Sequence, residues 1–211
     1  MNLGELLSVE NLMLIGTVIG TIIASAFTSY KTVVNKINEE QRTRKDEVPK
    51  AVKKQSKLNC EILQEAEKVK ELLNADRVQV YEFHNGAHYA NGRSALKTTC
   101  TFETCRYGVQ SCRDILSDVP LSVIPVFIKT LLDDEELYVK NLEDIKDTMI
   151  GTYNIKSSMN IKGFYDVVIH NEDREPIGFV AVQFCNRDAS NIDKDVVKKF
   201  AWFVEMKLME T

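Results

Sequence analysis

Glu175–Phe184 reads EPIGFVAVQF and, after a polar gap, Asp193–Leu208 reads DKDVVKKFAWFVEMKL. The first run is short, rich in Val, Ile and Phe, and opened by a proline and a glycine, so it reads as a strand over Ile177–Cys185. In the second, Val196, Val197, Phe200, Phe203, Val204 and Leu208 recur at helical spacing, and Asn191 or Asp193 stands where a cap belongs. Lys162–His170 is strand-like as well, and NEDREP (Asn171–Pro176) between the two strands is a polar turn, which predicts a hairpin. Ser157–Ile161 also reads as extended, with Gly163 a bend or bulge.

Working back from this hairpin, Gly151–Asn154 reads as a loop, Asn141–Met149 as a short helix and Glu136–Val139 as a short strand. Leu121–Leu132 is an apolar helix that starts near Ser122, so that Pro125 falls in its first turn. Thr104–Asp118 is irregular. Ala95–Glu103 and Arg77–Phe83 are strands, separated by turn signals at His84-Asn85-Gly86 and Asn91-Gly92. Ahead of them Leu58, Ile62, Ala66, Val69 and Leu73 make one apolar stripe on a helix over 51–74. Val48-Pro49 should break or kink the chain before it. The order predicts an α+β domain: an antiparallel sheet of five to six strands, with amphipathic helices from both ends covering one face.

The start of the chain has a different character. Leu12–Tyr30, LMLIGTVIGTIIASAFTSY, carries no charge. As a helix it would reach roughly 28 Å, the thickness of a bilayer's hydrocarbon core. Gly16, Gly20, Ala24 and Thr28 recur every four residues beside Thr17, Thr21, Ser25 and Ser29. Such a small-residue face lets helices approach closely in lipid, which predicts a homo-oligomer in the membrane. Ala24-Ser25-Ala26 looks like a signal-peptide cleavage site, but Glu5 and Glu10 precede the run and no Lys or Arg does. A buried helix in a soluble assembly is the third reading. Lys31, Lys36, Arg42, Arg44 and Lys45 follow the run and favour a cytoplasmic C-terminal side of a bacterial inner membrane. The division is therefore a lead-in over 1–11, a transmembrane helix over 12–30, a charged helical stalk over 31–57 and a globular domain over 58–211.

Composition excludes some classes. Across 211 residues, 27 Lys and Arg face 31 Asp and Glu, a formal net charge of −4, so no bulk basic charge points to nucleic acid. Five cysteines, an odd number without dense spacing, argue against a secreted disulfide scaffold.

The segments quoted first, a strand with an early glycine followed by a final amphipathic helix, resemble the GAF domain, a cousin of the PAS fold. The likeness spans about Leu58–Met209. It implies a pocket between the sheet and the connections after the second strand, and a paired first and last helix that transmits a signal or mediates dimers. A fainter likeness is to the single-span holins of T-even-type phages, in size, early span, charged stalk and globular C-terminal domain. HNGAHYANGR (His84–Arg93) resembles a His, Asn-Gly and His-Tyr cluster in them. Their globular domain is periplasmic, whereas the flanking charge here favours the cytoplasm.

Candidate site residues follow from these patterns. His84, Asn85, His88, Tyr89, Asn91 and Arg93 crowd one hairpin, as the rim of a ligand pocket or a partner contact, or simply as turn chemistry. Cys100, Cys105 and Cys112, with four and six residues between them, match no zinc knuckle, nor the GAF family that reduces free methionine sulfoxide with cysteines. They read as a mixture of buried and surface thiols, with no metal expected. Asp133-Asp134-Glu135-Glu136 reads as a solvated turn, and Trp202 with Phe200 and Phe203 as core or dimer surface. No nucleophile–base pair, phosphate loop or nucleotide fingerprint occurs, so neither an enzyme nor a cofactor is expected. Two functions remain: a holin-type lysis protein oligomerising in the inner membrane, which the small-residue face favours, or a membrane-anchored domain sensing a small molecule or a regulatory protein.

Overall fold

A computed structural model describes residues 9–210, with the side chains of 9–12, 14, 15, 38 and 40–47 outside the description. Most of the expected lead-in and the basic side chains of Arg42, Arg44 and Lys45 thus lie outside the described residues. The chain divides into two units, Met1–Lys54 and Gln55–Thr211. Helix α1, Val9–Leu72, has residues in both. Of the break or kink expected at Pro49, the break does not occur: the helix continues through it. The Lys, Ala, Glu and Gln residues after this proline are strong helix formers and carry the helix on despite the lost N–H.

In the first unit Ile19, Ile22, Ile23 and Phe27 are exposed. Among the described residues, one helical stretch, Gly16–Ile37, is apolar and long enough to cross a membrane by length and composition, and none of it is buried. Thr21, Ser25 and Thr28 donate to the carbonyls of Val18, Ile22 and Ala24 at 2.8–2.9 Å. The hydroxyls are thus satisfied within their own helix, which is what an apolar solvent requires.

The second unit is a six-stranded antiparallel sheet between two layers of helix. Its strands are β1 Arg77–His88, β2 Ser94–Cys105, β3 Val119–Pro120, β4 Glu136–Val139, β5 Gly163–His170 and β6 Pro176–Phe184, in the order β3-β2-β1-β6-β5-β4. Helices α2 Pro125–Asp134, α3 Ile150–Ser158 and α4 Lys194–Met209 complete it, with 3-10 turns at Leu121–Val123 and Leu142–Ile145. The expected hairpin is β5–β6, registered from Gly163 opposite Phe184 to His170 opposite Pro176. All of β5, and β6 from Gly178 onward, is buried, because both sheet faces are covered.

Side chains alternate across the sheet. Val78, Val80, Val180 and Val182 join Leu58, Ile62, Ala66 and Val69 of α1 and Val197, Phe200 and Val204 of α4 in one core. Tyr81, Phe164, Phe179 and Ala181 face the other way, into a second core under α2 and α3. Asp193 caps α4 through the Asp195 amide. Phe200 is core, whereas Trp202 is exposed.

Four expectations are corrected. His84-Asn85-Gly86 is not a turn: β1 runs on to His88, and the turn is at Tyr89–Gly92, where Gly92 N–H donates to the Tyr89 carbonyl and Gly92 takes φ +81°. Gly151–Asn154 is not a loop but the body of α3, which also absorbs Ser157 and Ser158 from the supposed strand. The residues of α3 are indifferent helix formers, and it is tertiary packing of Thr152 and Lys156, four apart on the buried face, that selects helix. Helix α2 starts at Pro125 itself, three residues later than expected, after a separate 3-10 turn. Gly163 sits in regular register rather than at a bulge; an added Cβ there would collide with the Lys140 carbonyl and the Ala189 amide.

Candidate functional site

The sheet face opposite α1 and α4 carries two neighbouring chambers. The inner one is an apolar cavity of about 40 Å³ between the sheet and α2 and α3. Tyr81 stacks on Phe179 with centroids 4.5 Å apart, and Phe127 meets Phe179 edge-on at 5.6 Å, so aromatic rings form much of the wall. The outer one is a polar cleft of about 540 Å³, between the 107–115 segment and the turn after α3. Met159 lines both.

Polar groups enter this apolar wall at few points. Thr98 of β2, Thr152 of α3 and Lys156 of α3 line the cavity and are all buried. Lys156 Nζ donates to Asp166 Oδ2 of β5 at 3.2 Å and sits 3.8 Å from the centre of the Phe164 ring. Asp166 is wholly buried. Burial pushes its carboxyl up to about 6 against the pull of Lys156, and burial likewise lowers the Lys156 ammonium. The hydroxyls of Thr98 and Thr152 and Asp166 Oδ1 have no hydrogen-bond partner. An unmade buried bond costs about 1–3 kcal/mol. A buried ion pair is seldom a net gain over apolar residues of the same volume, so this cluster is not explained by stability alone.

A polar ladder runs from Arg77, which lines the cleft, to Tyr81, which lines the cavity. Arg77, Gln79 and Tyr81 share one face of β1 by strand alternation. Arg77 Nη1 donates to Gln183 Oε1 and Nη2 to the Gln110 carbonyl, both at 2.8 Å. Gln79 donates to Glu103, and the Tyr81 hydroxyl donates to Gln79. Asp76 accepts the amides of Cys185 and Asn186 at 2.7 and 3.1 Å, which holds the end of β6 against the start of β1. Alternation of polar residues in RVQVY was the available sequence signal for the ladder.

Of the six residues singled out at the hairpin, Tyr89, Asn91 and Arg93 meet one another, away from both chambers. His84 Nε2 lies 2.9 Å from Thr99 Oγ1 and 3.6 Å from Asp118. The Arg93 guanidinium covers the Tyr89 ring at 4.8 Å, and Asn91 accepts the Arg93 amide. Asn85 and His88 are on the protruding end of β1, where both are exposed. None of the six lines the cavity or the cleft.

All five cysteines are free. Cys112 and Cys185 line the cleft beside Arg77, and burial raises both thiols, which keeps them protonated at neutral pH. Burial raises Cys100 and Cys105 in the same way. Among the described residues no group of three His, Cys, Asp or Glu side chains could hold a metal.

No family model and no curated protein matches this sequence. Solved structures do match. GAF3 of a Synechocystis protein, in its photoproduct state, aligns with a TM-score of 0.55 at 14% identity, covering 72% of this chain and 94% of that one. The PixJ GAF domain of Thermosynechococcus elongatus, in its blue-light absorbing form, gives 0.55 at 14% identity, covering 73% and 84%. A far-red cyanobacteriochrome photoreceptor gives 0.53 at 12%, covering 80% and 97%. At such identities the likeness speaks for the fold, and the fold is GAF-like.

Proposed function

We propose that this chain is a single-span membrane protein whose GAF-like domain is a regulatory module that binds a small molecule, and that it is not an enzyme. The observation that carries this reading is the inner cavity, apolar over most of its wall yet holding two buried hydroxyls without partners beside a buried ion pair. A ligand that met those groups would offset their desolvation. The solved domains with this fold are described by light-absorbing states. Absorbing visible light takes an extended conjugated chromophore, and a cavity of about 40 Å³ does not hold one, so the ligand here is small. Gly16–Ile37 supports the anchor. Lys31 and Lys36 at its trailing end support a cytoplasmic domain at the bacterial inner membrane.

The test uses the full chain in detergent micelles with a panel of small acids, amides, alcohols and amino acids. At least one compound should raise the melting temperature, and Met159→Trp, which fills the wall between the chambers, should remove that rise. A panel without effect, or a variant that binds like the parent, counts against the binding reading.

A second reading, holin-type lysis from a periplasmic domain, rests on the open small-residue face: a Cβ added at Gly16 or Gly20 meets nothing within 4 Å. Expression in a bacterium distinguishes the two, because a lysis protein collapses the membrane potential and a sensor accumulates with the potential intact.

A further inference from the structure

We infer that the inner cavity binds a short-chain monocarboxylate, of about acetate to butyrate size, and that Asp166 takes up one proton when it binds. This inference rests on the small-molecule reading of the cavity and names its ligand class.

Size comes first. About 40 Å³ is open to the centres of water-sized groups, room for a handful of heavy atoms. The occupant therefore has few heavy atoms. Its wall is ring faces and aliphatic side chains, from Tyr81, Phe127, Phe179 and Ile155, which suits a short hydrocarbon tail.

The head group follows from the polar atoms. Thr98 Oγ1 and Thr152 Oγ1 have no partner and can each donate an O–H. Lys156 has three N–H groups, and its hydrogen bond to Asp166 uses one of them. Three donors on one small cavity call for an acceptor-rich head, and a carboxylate offers two oxygens with about four acceptor positions. An amine would meet the ammonium of Lys156 with like charge, and an alcohol would satisfy one donor only.

Charge then dictates the proton. Lys156 and Asp166 neutralise each other at 3.2 Å. A carboxylate entering as an anion would leave two negative charges against one positive charge in a buried site, which is strongly unfavourable. The titratable groups facing Asp166 are Lys156 of α3 and Tyr81 of β1, and Arg77 of β1 acts on Lys156. Tyr81 stays a neutral phenol, and Arg77 is engaged by Gln183, Gln110 and Glu103. Asp166 is thus the group that can accept the proton, and burial already holds its carboxyl near 6. The bound state is Lys156 ammonium paired with the ligand carboxylate beside a neutral Asp166, with the proton drawn from solvent. Charge balances, and no covalent bond is made.

The experiment titrates sodium propionate into the full chain in micelles by calorimetry, with propanol and propionamide as neutral controls. Binding in two buffers of different ionisation enthalpy should show uptake of close to one proton at pH 7.5, and Kd should rise about tenfold from pH 7 to pH 8. Thr152→Val, which keeps the side-chain volume, should weaken propionate about tenfold, the loss of one hydrogen bond. Asp166→Asn, if it folds, should bind without proton uptake. The inference is overturned if 50 mM propionate leaves the folded parent unchanged, which would mean a cavity filled by water alone. Binding without proton uptake, or with Thr152→Val equal to the parent, overturns it as well. A different panel compound that binds in a Met159-dependent way while propionate stays inert would overturn the carboxylate and leave the binding reading standing.

Discussion

Asp166 makes the stability of this domain depend on pH in an unusual direction. Burial raises its carboxyl from 3.8 to about 6, so the folded chain holds that proton more tightly than the unfolded chain does. The favourable contribution is fully present below about pH 4 and is lost as pH rises through 6, a difference of about 3 kcal/mol. Glu136 runs the other way. Lys198 first, then Tyr165 and Lys194, hold its carboxylate down to about 2, so its contribution is present above about pH 4.5 and disappears as pH falls through 2. Urea midpoints of the parent and Asp166→Asn, compared at pH 5 and pH 7, should therefore diverge, with the parent gaining stability toward pH 5 relative to the variant. Equal slopes would mean that Asp166 is not the raised group. At Gly178 the constraint is steric: an added Cβ would overlap the Tyr81 carbonyl on the adjacent strand. Gly178→Ala should cost at least about 2–3 kcal/mol in urea denaturation, because the obstacle is backbone and cannot rotate away.

Among the elements, β1 is the one that reaches furthest. It pairs with β6 only as far as Glu82 opposite Gly178, while its pairing with β2 continues to His88 opposite Ser94. The hairpin end thus protrudes past the central sheet, which explains why Arg93 meets Tyr89 and Asn91, and His84 meets Thr99 and Asp118, rather than the cavity. The apolar stretch Gly16–Ile37 carries a separate prediction. Gly16→Leu with Gly20→Leu keeps the helix apolar and removes the close-approach face. Crosslinking in membranes should show intact insertion and weakened association. Unchanged association would move the contact to another face of α1.

At the scale of the molecule, both cores belong to the unit that begins at Gln55. The stripe of α1 that completes one core starts at Leu58, so a fragment of residues 55–211 retains every buried side chain described for the domain. That fragment should be soluble, and its melting temperature should match that of the domain in the full chain within a few degrees. A fragment without a cooperative transition would place the boundary further upstream. The GAF-like fold also separates two jobs by sheet face: α1 and α4 pack on one side, and the cavity opens on the other. A ligand that shifts β5 or β6 acts on both, since each strand is shared by the two cores.

Sequence alone determined the terminal helices, the β5–β6 hairpin, the α+β antiparallel class and the apolar run near the N-terminus. Each rests on a local period, and a period of 3.6 or 2 is visible within ten to twenty residues. Helix α3 was hidden because its residues have weak intrinsic preference and packing selects their conformation. The cavity was hidden for a related reason: Thr98, Thr152, Lys156 and Asp166 come from β2, α3 and β5, and nothing in the spacing ties the α3 pair to Thr98 or Asp166. Whether a threonine hydroxyl has a partner depends on every group packed around it. Only the tertiary structure decides that, because desolvation is a property of the assembled core and not of any segment that enters it.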